Sequence, residues 1–144
     1  MSESNKQVSR HFTELFSTGD PTLADAVFAP DVVFHGAVPD GDLRGVEAVK
    51  AFVAAYRAAF PDAVSTVEQQ VAEGDTVVTR WRARGTHDGA LAELPATGRS
   101  FDVGGITIER FAAGRIVEVW VARDELGLMR QLGAIPAREP AGAA

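Results

Sequence analysis

The second half of the chain contains four strand-like segments joined by short connections. "EGD" separates the first two segments and "AAGR" the last two, and both have the glycine-containing composition of tight hairpin turns. Parallel neighbours would need a crossover of a dozen or more residues, usually a helix. The sequence therefore predicts an antiparallel sheet whose strands span residues 63–72, 76–87, 99–111 and 115–123.

Helical patterns precede these strands. Apolar residues recur at helical spacing from Val8 to Phe16, and Gly19 follows where a helix would end. "DPTLADAVFA" begins with an aspartate and a proline, which is typical of the start of a short second helix. The run "DVVFHG" is rich in β-branched and aromatic residues and predicts a strand. A third amphipathic helix runs from Val46 to Phe60 and is closed by Pro61.

Helices followed by strands indicate an α+β fold, in which the helices pack on one face of a curved sheet. Gly104 and Gly105 lie inside a predicted strand, which favours a bulge or a sharp bend there. The length of 144 residues predicts one domain, spanning residues 1–136. The small and polar segment "AREPAGAA", residues 137–144, is expected to be a disordered tail.

Charge and composition exclude several classes of function. The formal net charge is −6, which argues against a general affinity for nucleic acid or for an anionic membrane surface. No apolar run approaches the ~20 residues of a membrane span, and the polar N-terminus has no signal core. The chain has no cysteine, so thiolate catalysis and cysteine metal sites are excluded. We expect a cytoplasmic protein.

Six segments in this order resemble the SnoaL-like polyketide cyclases, which belong to the nuclear-transport-factor-2-like superfamily. They are "FSTGD", "FAPDVVFHG", "RGVEAVKAFVAAYRAAFPD", "RWRARGTHDG", "FDVGGITIERFAAGRIVEVW" and "RDELGLMRQLG". The resemblance covers residues 6–133. It implies a cone-shaped, cystatin-like fold whose antiparallel or mixed sheet carries the N-terminal helices on its concave face, with a mostly apolar pocket between them.

The resemblance also implies an activity. The best-known members close a ring by intramolecular aldol condensation and use neither a cofactor nor a metal. Their general acid/base is an aspartate at the end of the last strand, which corresponds to Asp124. We therefore expect cofactor-independent ring closure of an apolar, polyketide-like carbonyl compound. The same scaffold also hosts hydrolases, dehydratases and non-catalytic ligand-binding or oligomerisation domains, and these alternatives stay open.

Asp124 has two interpretations. An aldol closure needs a base beside a carbonyl and then an acid for the new alkoxide, and one carboxylate in an apolar setting can serve as both. Asp124 follows the apolar run "IVEVWVA", which fits that role. Aspartate is also a favoured helix N-cap, and "DELGLMRQL" is typical of a helix start. Cap bonds lower a carboxylate's pKa, so the two roles oppose each other.

Related enzymes on this scaffold fit the sequence less well. Ketosteroid isomerases need a tyrosine in the first helix, an aspartate base after the first strand and an acid on a central strand. The corresponding positions here hold Phe12, Gly36 and Thr107. Limonene-type epoxide hydrolases have an Arg-x-Asp core, whereas Arg99 and Asp102 are one residue too far apart. His11, His35 and His87 stand alone, without the spacing that directs two ligands at one ion, so no metal is expected.

Several further residues are candidates for the pocket. His35 ends a predicted strand, where cyclase relatives often carry a pocket-facing histidine or asparagine, and it is predicted to polarise a substrate carbonyl. His87 falls at a turn near the predicted pocket rim. Trp120 lies on the same side as Asp124 if the strand is unbroken, and this places it on the pocket side. Trp81, Phe12 and Thr107 complete the predicted substrate-binding set, although such aromatic residues more often belong to a core or a subunit interface.

The last predicted strand is apolar on both faces. Val117, Val119 and Val121 alternate with Ile116, Trp120 and Ala122. A sheet covered on one face only should instead alternate apolar and polar residues. Because a large exposed apolar face is a liability, we predict a dimer formed by the outer face of the sheet.

Overall fold

The computed structural model describes residues 2–136, so the predicted tail at residues 137–144 lies outside the described residues. The helices are α1 (Ser2–Thr18), α2 (Pro21–Val27), α3 (Val46–Ala59) and α4 (Glu125–Gln131). The strands are β1 (Phe28–Val38), β2 (Gly41–Arg44), β3 (Val64–Glu73), β4 (Thr76–Thr86), β5 (Ser100–Ala112) and β6 (Arg115–Arg123). Within residues 2–136 no helix is long and apolar enough to cross a membrane.

The six strands form one mixed sheet in the order β2-β1-β6-β5-β4-β3. Every neighbouring pair is antiparallel except β1 and β6, which run parallel. Long stretches of helix and sheet separate these two strands in sequence, so their parallel pairing needs no short crossover. The α+β class, with N-terminal helices on a curved mixed sheet, is confirmed.

The prediction missed two features near the first strand. β1 begins at Phe28, three residues before the "DVVFHG" run, and β2 at residues 41–44 was not predicted. β2 is only four residues long and largely exposed, so it has no strand-like hydrophobic pattern. It hydrogen-bonds to β1 at the edge of the sheet, and only that pairing identifies it as a strand.

The predicted bulge at Gly104 and Gly105 is wrong. Pairing between β4 and β5 is unbroken there, with Gly105 opposite Trp81 and Gly104 opposite Arg82. A Cβ on Gly105 would overlap the Trp81 indole ring, so the glycine makes room for a large side chain on the neighbouring strand. The pairing of β5 with β6 shifts register between Arg110 and Phe111 instead.

Two apolar clusters lie between the helices and the sheet. The larger joins α1, α2 and α3 to β1 and β6 through side chains such as Phe12, Val49 and Val119. The smaller surrounds Phe60 and Phe101 and includes Leu128 of α4. A cavity is lined by residues of both clusters.

Candidate functional site

The cavity wall is mostly aromatic. Six phenylalanines line it together with Tyr56 and Trp81. The rings support one another at ordinary aromatic distances: the Phe16 and Tyr56 centroids are 5.3 Å apart, and those of Phe60 and Phe101 are 4.6 Å apart. Aromatic pairs in such arrangements add about 0.5–1.5 kcal/mol beyond burial of their area. The wall is therefore suited to a flat and apolar ligand.

Arg123 and Glu125 are the charged residues among those that line the described cavity. They stand at the junction of β6 and α4. Arg123 Nε donates to Glu125 Oε2 at 2.6 Å, and Arg123 Nη2 donates to the Ala37 carbonyl at 2.7 Å. The guanidinium lies 5.8 Å from the centre of the Phe52 ring. Since a guanidinium has five N–H donors, Arg123 retains donors beyond these two bonds.

Neutral polar groups complete the lining. Thr13, Ser65 and Thr107 offer hydroxyl groups, and Tyr56 offers a phenol. Burial raises the pKa of the Tyr56 phenol, which therefore stays protonated at neutral pH. A ligand in this cavity meets a few hydrogen-bonding groups set in an apolar wall, which is the usual composition of a small-molecule site.

Asp124 is an N-cap. Its Oδ1 accepts a hydrogen bond from the Gly127 N–H at 2.8 Å at the start of α4. The residue is exposed and is not among those that line the cavity. Its two neighbours line the cavity instead: Arg123 is the last residue of β6, and Glu125 is the first residue of α4. The catalytic role of Asp124 stays a prediction that rests on the resemblance.

His35 lies on the outer face of the sheet, so the prediction that it faces the pocket is wrong. Its Nδ1 is 3.1 Å from Asp42 Oδ1, and its Nε2 is 2.7 Å from Glu118 Oε2. Hydrogen bonding to Glu118 is the main cause that raises the pKa of His35. Its neighbour Phe34 is buried and lines the cavity, and alternation along β1 therefore turns His35 away.

Trp120 also lies outside the cavity, and its predicted placement on the pocket side is wrong. It is 40% exposed and stacks on His35, with the ring centres 5.3 Å apart. Trp120 and Asp124 do lie on the same side of the chain, but that side faces away from the cavity. Trp81, Phe12 and Thr107 lie in the cavity wall, and their contact with a substrate stays a prediction.

His87 is fully buried beneath the chain segment that closes one side of the cavity, rather than at the rim. Its ring is 5.6 Å from that of Phe60, and its Nδ1 accepts from the Thr97 N–H at 3.2 Å. Leu91 lies in the segment between His87 and Thr97, and it lines the cavity. The position of His87 indicates a role in holding this segment rather than in contacting a ligand.

Glu109 is not among the residues predicted from the sequence. It lies on β5, is fully buried, and is hydrogen-bonded to Thr107 of the cavity wall at 3.1 Å. The segment "ITIERF" contains a pattern that predicts the burial of Glu109. Thr107, Glu109 and Phe111 occupy alternate positions and therefore share one face of the strand. A carboxyl group between two inward-facing residues should itself face inward.

Within residues 2–136 no three His, Cys, Asp or Glu side chains form a group that could hold a metal ion. Metal-independent and cofactor-independent catalysis stays a prediction from the sequence.

The fold agrees with comparisons against known proteins. A family model described as SnoaL-like polyketide cyclase matches residues 6–132. The chain belongs to this family. Aklanonic acid methyl ester cyclase DnrD of Streptomyces peucetius is 32% identical over 126 residues, which are 86% of this chain and 87% of that protein.

Solved structures of SnoaL-like relatives superimpose on nearly the whole chain. TsrD from Streptomyces laurentii matches with a TM-score of 0.83 and 34% identity, covering 92% of this chain and 97% of that one. IdmH from Streptomyces antibioticus matches with a TM-score of 0.78 and 34% identity, covering 90% and 98%. Membership of the SnoaL-like family accounts for the α+β fold with its six-stranded mixed sheet.

Proposed function

We propose that this SnoaL-like protein closes a ring in an apolar carbonyl compound by general acid/base catalysis without a cofactor. The observation that carries the proposal is the aromatic cavity with one arginine and one carboxylate among its lining residues. An intramolecular aldol reaction needs a wall that folds the chain of the substrate, a base beside a carbonyl and a donor for the developing oxyanion. Each requirement has a candidate group in this cavity.

The relative in Streptomyces peucetius supports a substrate class. Its name gives a methyl ester as the compound on which that cyclase acts. A methyl ester removes the charge of a carboxylic acid and so lowers the cost of burial in an apolar cavity. We infer that the substrate of this chain is likewise a neutral, polyketide-like ester or ketone.

Glu125 is the carboxylate that the geometry favours as acid/base, since it lines the cavity beside Arg123. It would take the proton from the carbon beside a carbonyl and return one to the new alkoxide. Arg123 would stabilise the enolate and alkoxide oxygens with its remaining N–H groups. The family resemblance assigns the acid/base role to Asp124, one residue earlier, and the two assignments predict different variant phenotypes.

A non-catalytic binding domain is the second candidate. The observation that favours it is the position of Asp124, because the residue that the resemblance makes the catalyst is an exposed helix cap. A hydrolase or dehydratase that combines His35 with Asp124 is disfavoured, because His35 bonds to Asp42 and Glu118 on the outer face of the sheet.

The test is to incubate the purified protein with aklanonic acid methyl ester. Ring closure by aldol addition, without loss of water, is an isomerisation, so the expected product has the mass of the substrate but a different retention time and proton NMR spectrum. Boiled protein and the Arg123→Met variant serve as controls, and we expect both to lack turnover. Saturable binding of the ester without any isomer would favour the binding domain.

A further inference from the structure

A buried polar cluster lies behind the cavity wall, and it consists of Ser9, Thr79, Thr107 and Glu109. Ser9 Oγ lies 2.7 Å from Glu109 Oε1, and Thr107 Oγ1 lies 3.1 Å from the same oxygen. Ser9 Oγ is also 2.7 Å from Thr79 Oγ1, which is 3.5 Å from Glu109 Oε2. All four residues are at most 4% exposed, and Thr107 also lines the cavity.

The hydroxyl protons of this buried cluster are too few for an ionised Glu109. Each hydroxyl has one proton to donate. If Ser9 donates to Glu109 Oε1, the short Ser9–Thr79 contact requires Thr79 to donate to Ser9. Oε2 then receives no proton from a hydroxyl, so the ionised form is short of donors in this buried site.

A protonated Glu109 satisfies the same cluster. Its Oε2–H donates to Thr79, Thr79 donates to Ser9, and Ser9 donates to Oε1, which closes a ring of hydrogen bonds. In this state Oε1 is already satisfied by Ser9. The Thr107 proton is then not required by the carboxyl group and can rotate towards the cavity.

The surroundings of Glu109 also favour the neutral form. Burial raises its pKa to about 7. Its cross-strand neighbours are Val77 on β4 and Val119 on β6, both fully buried. The groups that contact the carboxyl from α1, β4 and β5 are the three hydroxyls of the cluster and the backbone N–H of Glu109 itself. On the same helix as Ser9, Lys6 pairs instead with the exposed Glu3 at 3.6 Å.

We propose that Glu109 is a positioning residue whose protonation state decides whether Thr107 donates a hydrogen bond to the ligand or only accepts one. With Glu109 neutral, Thr107 donates to a ligand carbonyl in the cavity. With Glu109 ionised, Thr107 donates to the carboxylate and presents its lone pairs, so it accepts from a ligand hydroxyl. This rests on the proposed function only in that the cavity is the substrate site.

The consequence concerns specificity. A ketone or ester substrate offers only acceptors and needs the neutral state, whereas a product that bears a hydroxyl can be held in either state. A hydrogen bond to a charged acceptor is stronger than one to a neutral acceptor. Ionised Glu109 therefore competes with the ligand carbonyl for the Thr107 proton.

Two small probes of similar shape test this: 1-tetralone, which can only accept, and 1-naphthol, which can also donate. Calorimetric titration of each probe is made about two pH units below and above the pKa of about 7 that burial gives Glu109. We expect the Kd of 1-tetralone to rise by about tenfold at the higher pH, because Thr107 then donates to a charged acceptor. The Kd of 1-naphthol should not rise.

Three variants test whether Glu109 and Thr107 cause the pH dependence of 1-tetralone binding. Glu109→Gln keeps the shape and stays neutral, so it should bind 1-tetralone equally well at both pH values. Thr107→Val removes the hydroxyl and should also abolish the pH dependence. Glu118→Gln alters the titrating pair on the outer face and should leave the dependence unchanged. Circular dichroism confirms that each variant is folded.

Infrared difference spectra of the wild-type protein minus Glu109→Gln give an independent readout, since a protonated carboxyl band should be present at the lower pH and lost at the higher one. The proposal would be overturned if 1-tetralone did not bind at the lower pH or if its affinity did not change with pH. It would equally be overturned if the change survived in Glu109→Gln or Thr107→Val, or if the carboxyl band were absent. Probe binding needs no turnover, so a chain that binds without cyclising would sink the proposed function alone.

Discussion

At the residue scale, three consecutive charged residues stand at the junction of β6 and α4. Arg123 and Glu125 line the cavity, and Asp124 between them caps α4 from the outside. A shift of one residue along the chain therefore separates a helix cap from a candidate catalyst.

The first prediction separates Asp124 from Glu125. Since asparagine caps helices about as well as aspartate, Asp124→Asn should leave stability and turnover nearly unchanged, whereas Asp124→Ala should cost about 1 kcal/mol of unfolding free energy. Glu125→Gln should keep the fold and lower kcat by about 10²–10⁴-fold. Thermal melts and rates on a confirmed substrate measure both. A large loss of kcat in Asp124→Asn, with Glu125→Gln near wild type, would return the role to Asp124.

The second prediction concerns the stability of the fold as a function of pH. Burial raises the pKa of Glu109 from 4.5 to about 7. Between these values the unfolded chain loses a proton that the folded chain keeps, so unfolding becomes easier as pH rises and the loss is complete above about pH 7. The shift corresponds to roughly 3 kcal/mol.

Glu109→Gln should remove this loss. We expect the difference in unfolding free energy between the variant and the wild-type protein to move by roughly 3 kcal/mol in favour of the variant between pH 4.5 and pH 8. Urea titrations across this interval measure it, and taking the difference cancels the other titrating groups. A constant difference would mean that the carboxyl of Glu109 has the same pKa in the folded and the unfolded protein.

At the scale of elements, the register of neighbouring strands shapes the cavity. Trp81 on β4 lies opposite Gly105 on β5, and its ring occupies the space that a side chain at Gly105 would need. The indole lines the cavity because the neighbouring strand carries no side chain there.

The third prediction tests this contact with two adjacent glycines. Gly105→Ala should destabilise the protein by about 1–3 kcal/mol, because the new Cβ meets the Trp81 ring. Gly104→Ala is the matched control, since its Cβ would have nothing nearer than 3.5 Å. Chemical unfolding measures both, and Trp81→Phe in the Gly105→Ala background should recover part of the loss. Equal effects of the two alanines would contradict the account.

A second element-scale feature is the bulge in β6. Arg110 pairs with Glu118 while Phe111 pairs with Ile116, which leaves Val117 as the extra residue. The bulge exchanges the two faces of the strand, so Ile116 and Val119 are both fully buried although they are three residues apart. Part of the two-sided apolar pattern that suggested a dimer therefore has this local cause.

At the scale of the whole molecule, the outer face of the sheet still exposes apolar side chains. Ile106 is 46% exposed, Ile108 41% and Trp120 40%. Ile108 lies opposite Trp120 across β5 and β6, and Val78 follows on β4. This patch, defined by Ile106, Ile108 and Trp120, supports the proposal of a homodimer.

The fourth prediction is that Ile108→Lys converts a dimer into a monomer, because a charge in the centre of an apolar interface is costly to bury. Leu126→Lys is the control, since Leu126 is 52% exposed and lies on α4 rather than on a strand of the patch. Light scattering at micromolar concentration measures the mass. A wild-type particle of about 15 kDa, the mass of one 15.3 kDa chain, would refute the dimer.

The sequence by itself determined the type and order of the long elements, because helical and strand periodicity are local properties of the chain. α3 and the four strands from β3 to β6 begin and end close to the predicted positions, whereas α1 begins at Ser2, before the apolar pattern that starts at Val8. The order of helices before strands determined the α+β class. The helix N-cap at Asp124 could also be predicted from the sequence, since a cap bond spans only three residues. Six motifs in one order were enough to predict the family.

Only the tertiary structure decided which face of each strand is inside. Alternation shows that Trp120 and Asp124 share a side, but it does not say which side meets the helices when both carry apolar residues. The same limit applies to His35, whose partners Asp42 and Glu118 come from two other strands. Glu109 is joined to Ser9 across 100 positions of sequence, and a contact of that range arises only when α1 packs on the sheet.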